Sequence, residues 1–308
     1  MSLAEHVALG MTLPHRSPEP IDMQDVREVA LAAEGLGFQD LWVTQNTLDY
    51  AYSFDAVVIL TYAAAVTQRI RLGASVISLP LYSPIHIAHQ IASLDYVSNG
   101  RAILGVGLGR QSHYEDFQVS SSRKVRRLLE GIELMKRLWT EPAVDYHGEI
   151  YQVEKAQIRL KPVQQPRPPV WLGGTHPDAI RRAAAVADGW MGSGNMTTEA
   201  FGKGVAVLRE ALEAKGRDAS TFPASKRVFM AVDENAQKAR ADVDRWFTEA
   251  YRNPSLTERS GVYGTPEHVR EQLEELHAMG ANHLLLNTVF RHREQMDLLA
   301  EVTGLRAE

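Results

Sequence analysis

Residues 69–110, RIRLGASVISLPLYSPIHIAHQIASLDYVSNGRAILGVGLGR, hold two short apolar runs, 70–77 and 102–106, on either side of one helix-length segment. Each run ends in small or polar residues. Two parallel strands need a long crossover between them, and a helix is the usual one. A chain that repeats this strand–helix–strand unit is held to the α/β class.

The unit does repeat. Strand-like runs at 6–13, 40–45, 70–77, 102–106, 169–173, 189–192, 226–232 and 281–287 alternate with segments of helical apolar spacing. Asp22 is a helix N-cap with Asp25 in the first turn, and Thr265-Pro266 pairs an N-cap with proline at the first helical position. Runs such as RIRLGASVI and NHLLLN do not alternate cleanly, which suits strands buried on both faces. Eight such units in 308 residues favour a closed (β/α)8 TIM barrel, a single domain over residues 1–308. Two segments interrupt the alternation. An insertion at 140–168, after the fourth helix (122–139), is too long for an ordinary loop. It is expected to hold a hairpin of 144–146 against 150–153, turned at His147-Gly148. A second, polar loop covers 252–264.

Composition excludes several function classes. Lys plus Arg is 33 against 38 Asp plus Glu, a formal charge of −5, so no basic nucleic-acid footprint is expected. There is no cysteine, hence no disulfide framework, thiolate metal site or cysteine nucleophile. No metal-ligand cluster such as HExxH appears. No signal peptide and no membrane-length apolar run is visible, so a cytoplasmic protein is expected.

In a parallel barrel the active site lies just after the C-terminal ends of the strands. Those positions carry Thr44, Gln45 and Asn46; Ser75 and Val76; Gly107, Gly109, Arg110 and His113; Gly173, Gly174, Thr175 and His176; Gly192, Ser193 and Gly194; and Asn287, Thr288, Arg291 and His292. Acids are nearly absent, which argues against a paired-carboxylate glycosidase. No lysine stands ready for Schiff-base chemistry, which argues against an aldolase. The glycine-rich turns before two late helices suit a phosphate. Tight turn geometry explains them equally well. GVGLG lacks the spacing of a dinucleotide fingerprint. His86 and His89 fit packing or surface roles, Trp171 and Trp190 fit the barrel wall, and the basic run 123–127 fits a solvated helix face.

These segments, RIRLGASVI, HIAHQIASLDYVSNGRAILGVGLG, LMKRLWTEPAVDYHGEIYQVEKA, LKPVQQPRPPVWLGGTHPDAIRRAAAVADGWMG and TPEHVREQLEELHAMGANHLLLN, resemble the luciferase-like flavin-dependent oxidoreductases in order and over nearly the whole chain. The resemblance implies a TIM barrel holding a flavin-type cofactor across its C-terminal rim. Ser75-Val76 matches a non-proline cis peptide that backs the ring in deazaflavin members, which favours coenzyme F420 over reduced FMN. It further implies phosphate contacts at Gly174-Thr175 and Gly192-Ser193-Gly194, a contact at Thr44, and a glycine, Gly107, that lets the ring approach. Homodimers are usual among similar proteins.

One departure stands out. Family members place an acid or histidine at the end of the second strand, where this chain has Gln45 and Asn46. Amides hydrogen-bond but are not general acids. With these two, His113 and Tyr114 are the remaining catalytic candidates. Tyr114, Arg110 and Arg291 are candidates for substrate or anion contact, the arginines against a structural ion-pair role. The expected function is hydride transfer between coenzyme F420 and a small organic substrate. The alternatives are a two-component monooxygenase fed reduced FMN by a separate flavin reductase, and a non-catalytic flavin-binding relative.

Overall fold

The computed structural model describes residues 2–306. Eight strands run parallel: β1 (Ala8–Thr12), β2 (Asp40–Val43), β3 (Arg71–Ile77), β4 (Ala102–Val106), β5 (Val170–Gly173), β6 (Gly189–Gly192), β7 (Ala224–Val232) and β8 (His283–Thr288). Each pairs with its neighbours in chain order, and β8 pairs back onto β1 with His283 opposite Ala8. The barrel expected from the sequence is the fold observed. Its helices are α1 (Met23–Gly35), α2 (Ala56–Val66), α3 (Pro84–Val97), α4 (Lys124–Thr140), α5 (Pro177–Val186), α6 (Thr198–Glu213), α7 (Ala236–Glu249), α8 (Pro266–Ala278) and α9 (His292–Thr303). Local chemistry starts several of them. Asp22, Asp55, Thr197, Asn235 and Thr265 each accept a first-turn amide with the side chain, offsetting donors a helix leaves free.

The barrel interior is filled from the bottom up. Asp40, at the start of β2, is fully buried and accepts from Trp42 and from His283 at 3.0 Å. Above it Trp42 and Trp171 meet with ring centres 5.1 Å apart, beside Ile103, Met191 and Leu285. A Cβ at Gly189 would fall 2.8 Å from the Trp171 ring, so glycine there gives the indole its space. Trp190 points the other way and stacks on Phe201 of α6. Both tryptophans are wall residues, on opposite faces of the sheet.

The insertion is fastened by two buried carboxylates. Glu130 of α4 accepts from the amides of Glu149, Ile150 and Tyr151. Asp95 of α3 accepts from those of Val163 and Gln164. The hairpin forms, but as Val144–His147 against Gln152–Ala156, with Tyr146 opposite Val153. Glu130 draws residues 149–151 into the turn, which pushes the second strand later than expected.

The loop 252–264 is a larger correction. It contains a short helix, Leu256–Ser260, and a strand, Gly261–Gly264. β7 is nine residues long and β6 only four. The first part of β7 pairs with β6, and the part beyond pairs with Gly261–Gly264. An exposed edge of amides is thereby covered. Two further details were not expected: a short helix, Gln111–Asp116, after GVGLG, and a two-residue antiparallel pairing of Arg16–Ser17 with Tyr52–Ser53. Among the described residues no helix is long and apolar enough to cross a membrane.

Candidate functional site

A cavity of about 750 Å³ opens at the C-terminal ends of the strands. Its floor is set by β3. The pairing of β3 with β4 slips between Ala74 and Ile77, and the Ser75-Val76 peptide is cis. The bulge delivers Val76 between Gly107 and Gly173. A Cβ on either glycine would lie 2.9 Å from a Val76 methyl group. The space over Gly107 is therefore filled by Val76, and Val76 itself faces the cavity. Sequence reasoning gave that space to a cofactor ring, but the valine side chain takes it.

The turns after β5 and β6 line one side. Gly174, Thr175, Ser193 and Gly194 all reach the cavity wall. Trp190 Nε1 donates to Gly174 O at 2.8 Å and fixes the first turn. Gly192 does not reach the wall; a Cβ there would meet the Phe201 ring at 2.8 Å, so it serves helix packing. Asn195, which follows them at the end of β6 as the sequence places it, lines the cavity too. One residue that sequence reasoning passed over belongs here: Arg182 of α5, whose Nε is buried with no acceptor. Such an orphaned cationic donor is costly unless a ligand supplies the acceptor. Arg182 lay unseen in the sequence because it sits mid-helix, one turn and more beyond the strand end.

At the end of β2, none of Thr44, Gln45 and Asn46 lines the cavity, so the expected cofactor contact at Thr44 and catalytic role of Asn46 are not placed there. Gln45 does not turn to the cavity. Its Oε1 accepts from Ala56 N at 2.8 Å, and its Nε2 donates to Thr47 Oγ1 and Asp55 Oδ2. It caps α2, which corrects the expected catalytic role. Asn46 Nδ2 donates to Thr44 Oγ1 at 2.5 Å, and Thr44 Oγ1 lies 2.7 Å from His15 Nε2. Thr44 N also donates to that nitrogen, while His15 Nδ1 meets Leu13 O at 2.7 Å. The partners assign the proton to Nδ1. Burial pushes the His15 pKa down from 6.5 to about 3, so the imidazole is neutral. His292, whose Nδ1 lies 2.8 Å from Thr288 Oγ1, is pushed down by burial to about 4. His15 follows the first strand directly, where site residues gather, but the prolines around it mark the segment as a plain loop.

The remaining candidates are placed as follows. Arg110 reaches the cavity wall. His113 sits on the short helix behind it, its pKa lowered by burial and by Arg110. The Tyr114 hydroxyl donates to Leu108 O, its ring is buried, and burial pushes its pKa to about 12. It props the loop rather than facing the cavity. Arg291 is held by Asp242 at 2.7 Å, Asp233 at 2.9 Å and Glu294 at 3.1 Å. The ion-pair role holds, and the anion-contact expectation for Arg291 is corrected.

The far wall was the least visible in the sequence. It is made by Arg227 and Phe229 of β7 with Tyr251, just past the end of α7, and Asn253 and Leu256 from the segment first taken for a polar loop. Arg227 Nε donates to Asn287 Oδ1 at 3.0 Å, and the guanidinium lies 4.6 Å from the centre of the Phe229 ring.

A closed parallel barrel with a cavity over its C-terminal rim, an apolar valine on its floor and an orphaned arginine donor on its wall fits a planar, phosphorylated cofactor. Residues 6–283 match the luciferase-like monooxygenase family, and the chain belongs to it. It is an oxidoreductase of that superfamily. It is 28% identical over 228 residues to an F420-dependent glucose-6-phosphate dehydrogenase of Kineococcus radiotolerans, covering 71% of this chain and 67% of that one. It is 28% identical over 236 residues to a 5,10-methylenetetrahydromethanopterin reductase of Archaeoglobus fulgidus, 75% and 68% of the two chains. In fold it is similar to the monooxygenase RslO1 from Streptomyces bottropensis, with a TM-score of 0.84, 23% identity and coverage of 96% and 98%. It is equally similar to an F420-dependent secondary alcohol dehydrogenase, TM-score 0.84, 19% identity, 98% and 99% covered.

Proposed function

We propose that this protein transfers hydride between coenzyme F420 and a small organic substrate. The observation that carries the reading is the floor of the cavity, where the β3 bulge seats Val76 between Gly107 and Gly173. A flat ring laid on that valine keeps one face against the protein and offers the other to a substrate. The relative named first, an F420-dependent dehydrogenase, supports the same branch.

In this reading the amides and hydroxyls of Gly174, Thr175, Ser193 and Gly194, with Arg182, hold the cofactor's phosphate. Charge-assisted bonds from arginine suit that task. Bound there, the deazaflavin supplies a hydride at its ring carbon. Val76 orients the ring. Phe229, Tyr251 and Leu256 make the far wall largely apolar, which strengthens the polar contacts made beside them. The chain Asn46–Thr44–His15–Leu13 is satisfied within itself and lies behind the cavity wall, and His15 in it is neutral, so it brings no acid to the site.

That last point favours one alternative, a monooxygenase fed reduced FMN by a separate reductase. With buried His15 and half-buried His292 beside the barrel mouth both held neutral, there is little acid for carbonyl reduction. Titration of the purified protein with F420 and with FMN, read by fluorescence, decides between the branches. The expected result is saturable F420 binding at least tenfold tighter than FMN. FMN binding with no response to F420 would overturn the proposal.

We propose also that two copies pair through α2 and α3, where Val58, Tyr96 and Val97 are exposed and apolar. A monomer mass by light scattering at micromolar concentration would sink this.

A further inference from the structure

Arg227 enters the cavity with no carboxylate partner among the described residues. Its Nε and Nη2 both donate to one neutral acceptor, Asn287 Oδ1, and its Nη1 donates to nothing there. Asn287 is buried and held in turn by its Nδ2, which donates to Thr288 O at 3.0 Å. The geometry therefore fixes the guanidinium and leaves one edge of it facing the cavity.

The neighbourhood adds positive charge instead of cancelling it. Arg16 lies close enough for its charge to act on Arg227. Its side chain is only 8% exposed, and Asp49 takes its Nε and Nη2 at 2.5 and 2.9 Å. Its Nη1 is buried with no acceptor. The one carboxylate nearby, Asp49, is taken by Arg16 and none reaches Arg227, while the neighbouring His15 is neutral. A buried charge without a partner is strongly unfavourable, and sites retain one where a ligand completes the pair. Phe229 and Tyr251 supply flat apolar walls next to the free edge of Arg227.

We propose that this side of the cavity is a subsite for the carboxylate of an anionic, flat-bodied substrate, received by Arg227 with Arg16 reinforcing the field. A guanidinium edge matches a carboxylate in two parallel bonds, and the carbon body packs on Phe229 and Tyr251. The assignment deepens the functional reading above and rests on it, because the ring over Val76 and the carboxylate at Arg227 then face each other across one cavity.

Calorimetric titration with benzoate and with its neutral isostere benzamide tests it, on cofactor-free and on cofactor-saturated protein. Benzoate is expected to bind the natural protein about tenfold or more tighter than benzamide. Arg227→Met abolishes that preference and Arg227→Lys restores part of it. Asn287→Asp abolishes it too, by giving Arg227 a carboxylate of its own while leaving the arginine in place. Equal binding of the two probes to the natural protein overturns the proposal, as does a preference that survives both Arg227→Met and Asn287→Asp. Displacement of benzoate by the cofactor also overturns it, because Arg227 then serves the cofactor. If neither F420 nor FMN binds while benzoate preference persists, the redox reading fails and the carboxylate subsite stands.

Discussion

The two ends of the barrel bury charge in opposite ways. At the bottom, Asp40 meets His283 at 3.0 Å and Arg71 at 2.8 Å, with Trp42 donating to it as well. Burial works against its carboxylate, but His283 and Arg71 outweigh that and hold its pKa below the usual range. Every partner there belongs to the chain, so the cluster is complete. At the mouth, Arg182 Nε and Arg16 Nη1 are buried without acceptors, and Arg227 has an amide where a carboxylate would satisfy it. The fold tolerates that deficit because eight strands and their helices over-determine the barrel. Complete networks mark scaffold; incomplete ones mark where a ligand belongs.

The largest effect expected from breaking this contrast is at the bottom. Asp40→Ala leaves His283, Arg71 and Trp42 without their common acceptor. Removing one partner of a buried pair costs about 3–5 kcal/mol, to be seen as a lower urea midpoint with an unchanged slope. Cofactor affinity under folding conditions should not change, since Asp40 is separated from the cavity by the Trp42–Trp171 layer. Loss of affinity in a folded Asp40→Ala protein would mean that the two ends are coupled.

Acid separates the ends by pH. The Asp40 carboxylate has a folded pKa below 3.8, so its stabilisation is complete above about 4 and is lost only as pH falls further. His15 is pushed down from 6.5 to about 3, and His292 from 6.5 to about 4. The unfolded chain takes up these protons from pH 6.5 downward and the folded chain does not. Stability contributed by the neutral imidazoles is thus full above 6.5 and falls between 6.5 and 4, by about 1.4 kcal/mol per pH unit for each histidine. Urea unfolding at pH 7 and pH 5 should show this loss. His15→Gln, which keeps a hydrogen-bonding amide, should remove about half of the difference. A pH-independent midpoint across that window would show that the mouth is wetter than the structure indicates.

The contrast also explains what could be seen in the sequence. Alternation of buried strands and capped helices is local, and it marks all eight barrel units from Ala8 to Thr303. The turns at Gly174-Thr175 and Ser193-Gly194 are local too, because a phosphate turn is made of neighbours in the chain. Arg227, Phe229 and Tyr251 are not. They come together because β7 outruns β6 and is capped by the strand Gly261–Gly264, a pairing with no periodicity to announce it. Arg291 and Arg227 are both arginines on late strands or the loops that follow. Only the fold reveals that carboxylates surround one while the other lacks them.

The smallest effect expected lies on the border between scaffold and mouth. Gln45 stands at a strand end, where site residues gather, yet both ends of its amide are spent on the start of α2. Gln45 Oε1 takes the Ala56 amide while Asp55 Oδ1 takes those of Val57 and Val58, so two side chains satisfy three successive donors. Gln45→Ala frees one of the three, and a lost cap of this kind costs about 0.5–1 kcal/mol. Cofactor affinity should be unchanged, because the neighbouring Asn46–Thr44–His15 chain does not pass through Gln45. A tenfold weakening of the cofactor instead would move the boundary, placing the N-terminus of α2 in the site and Gln45 with it.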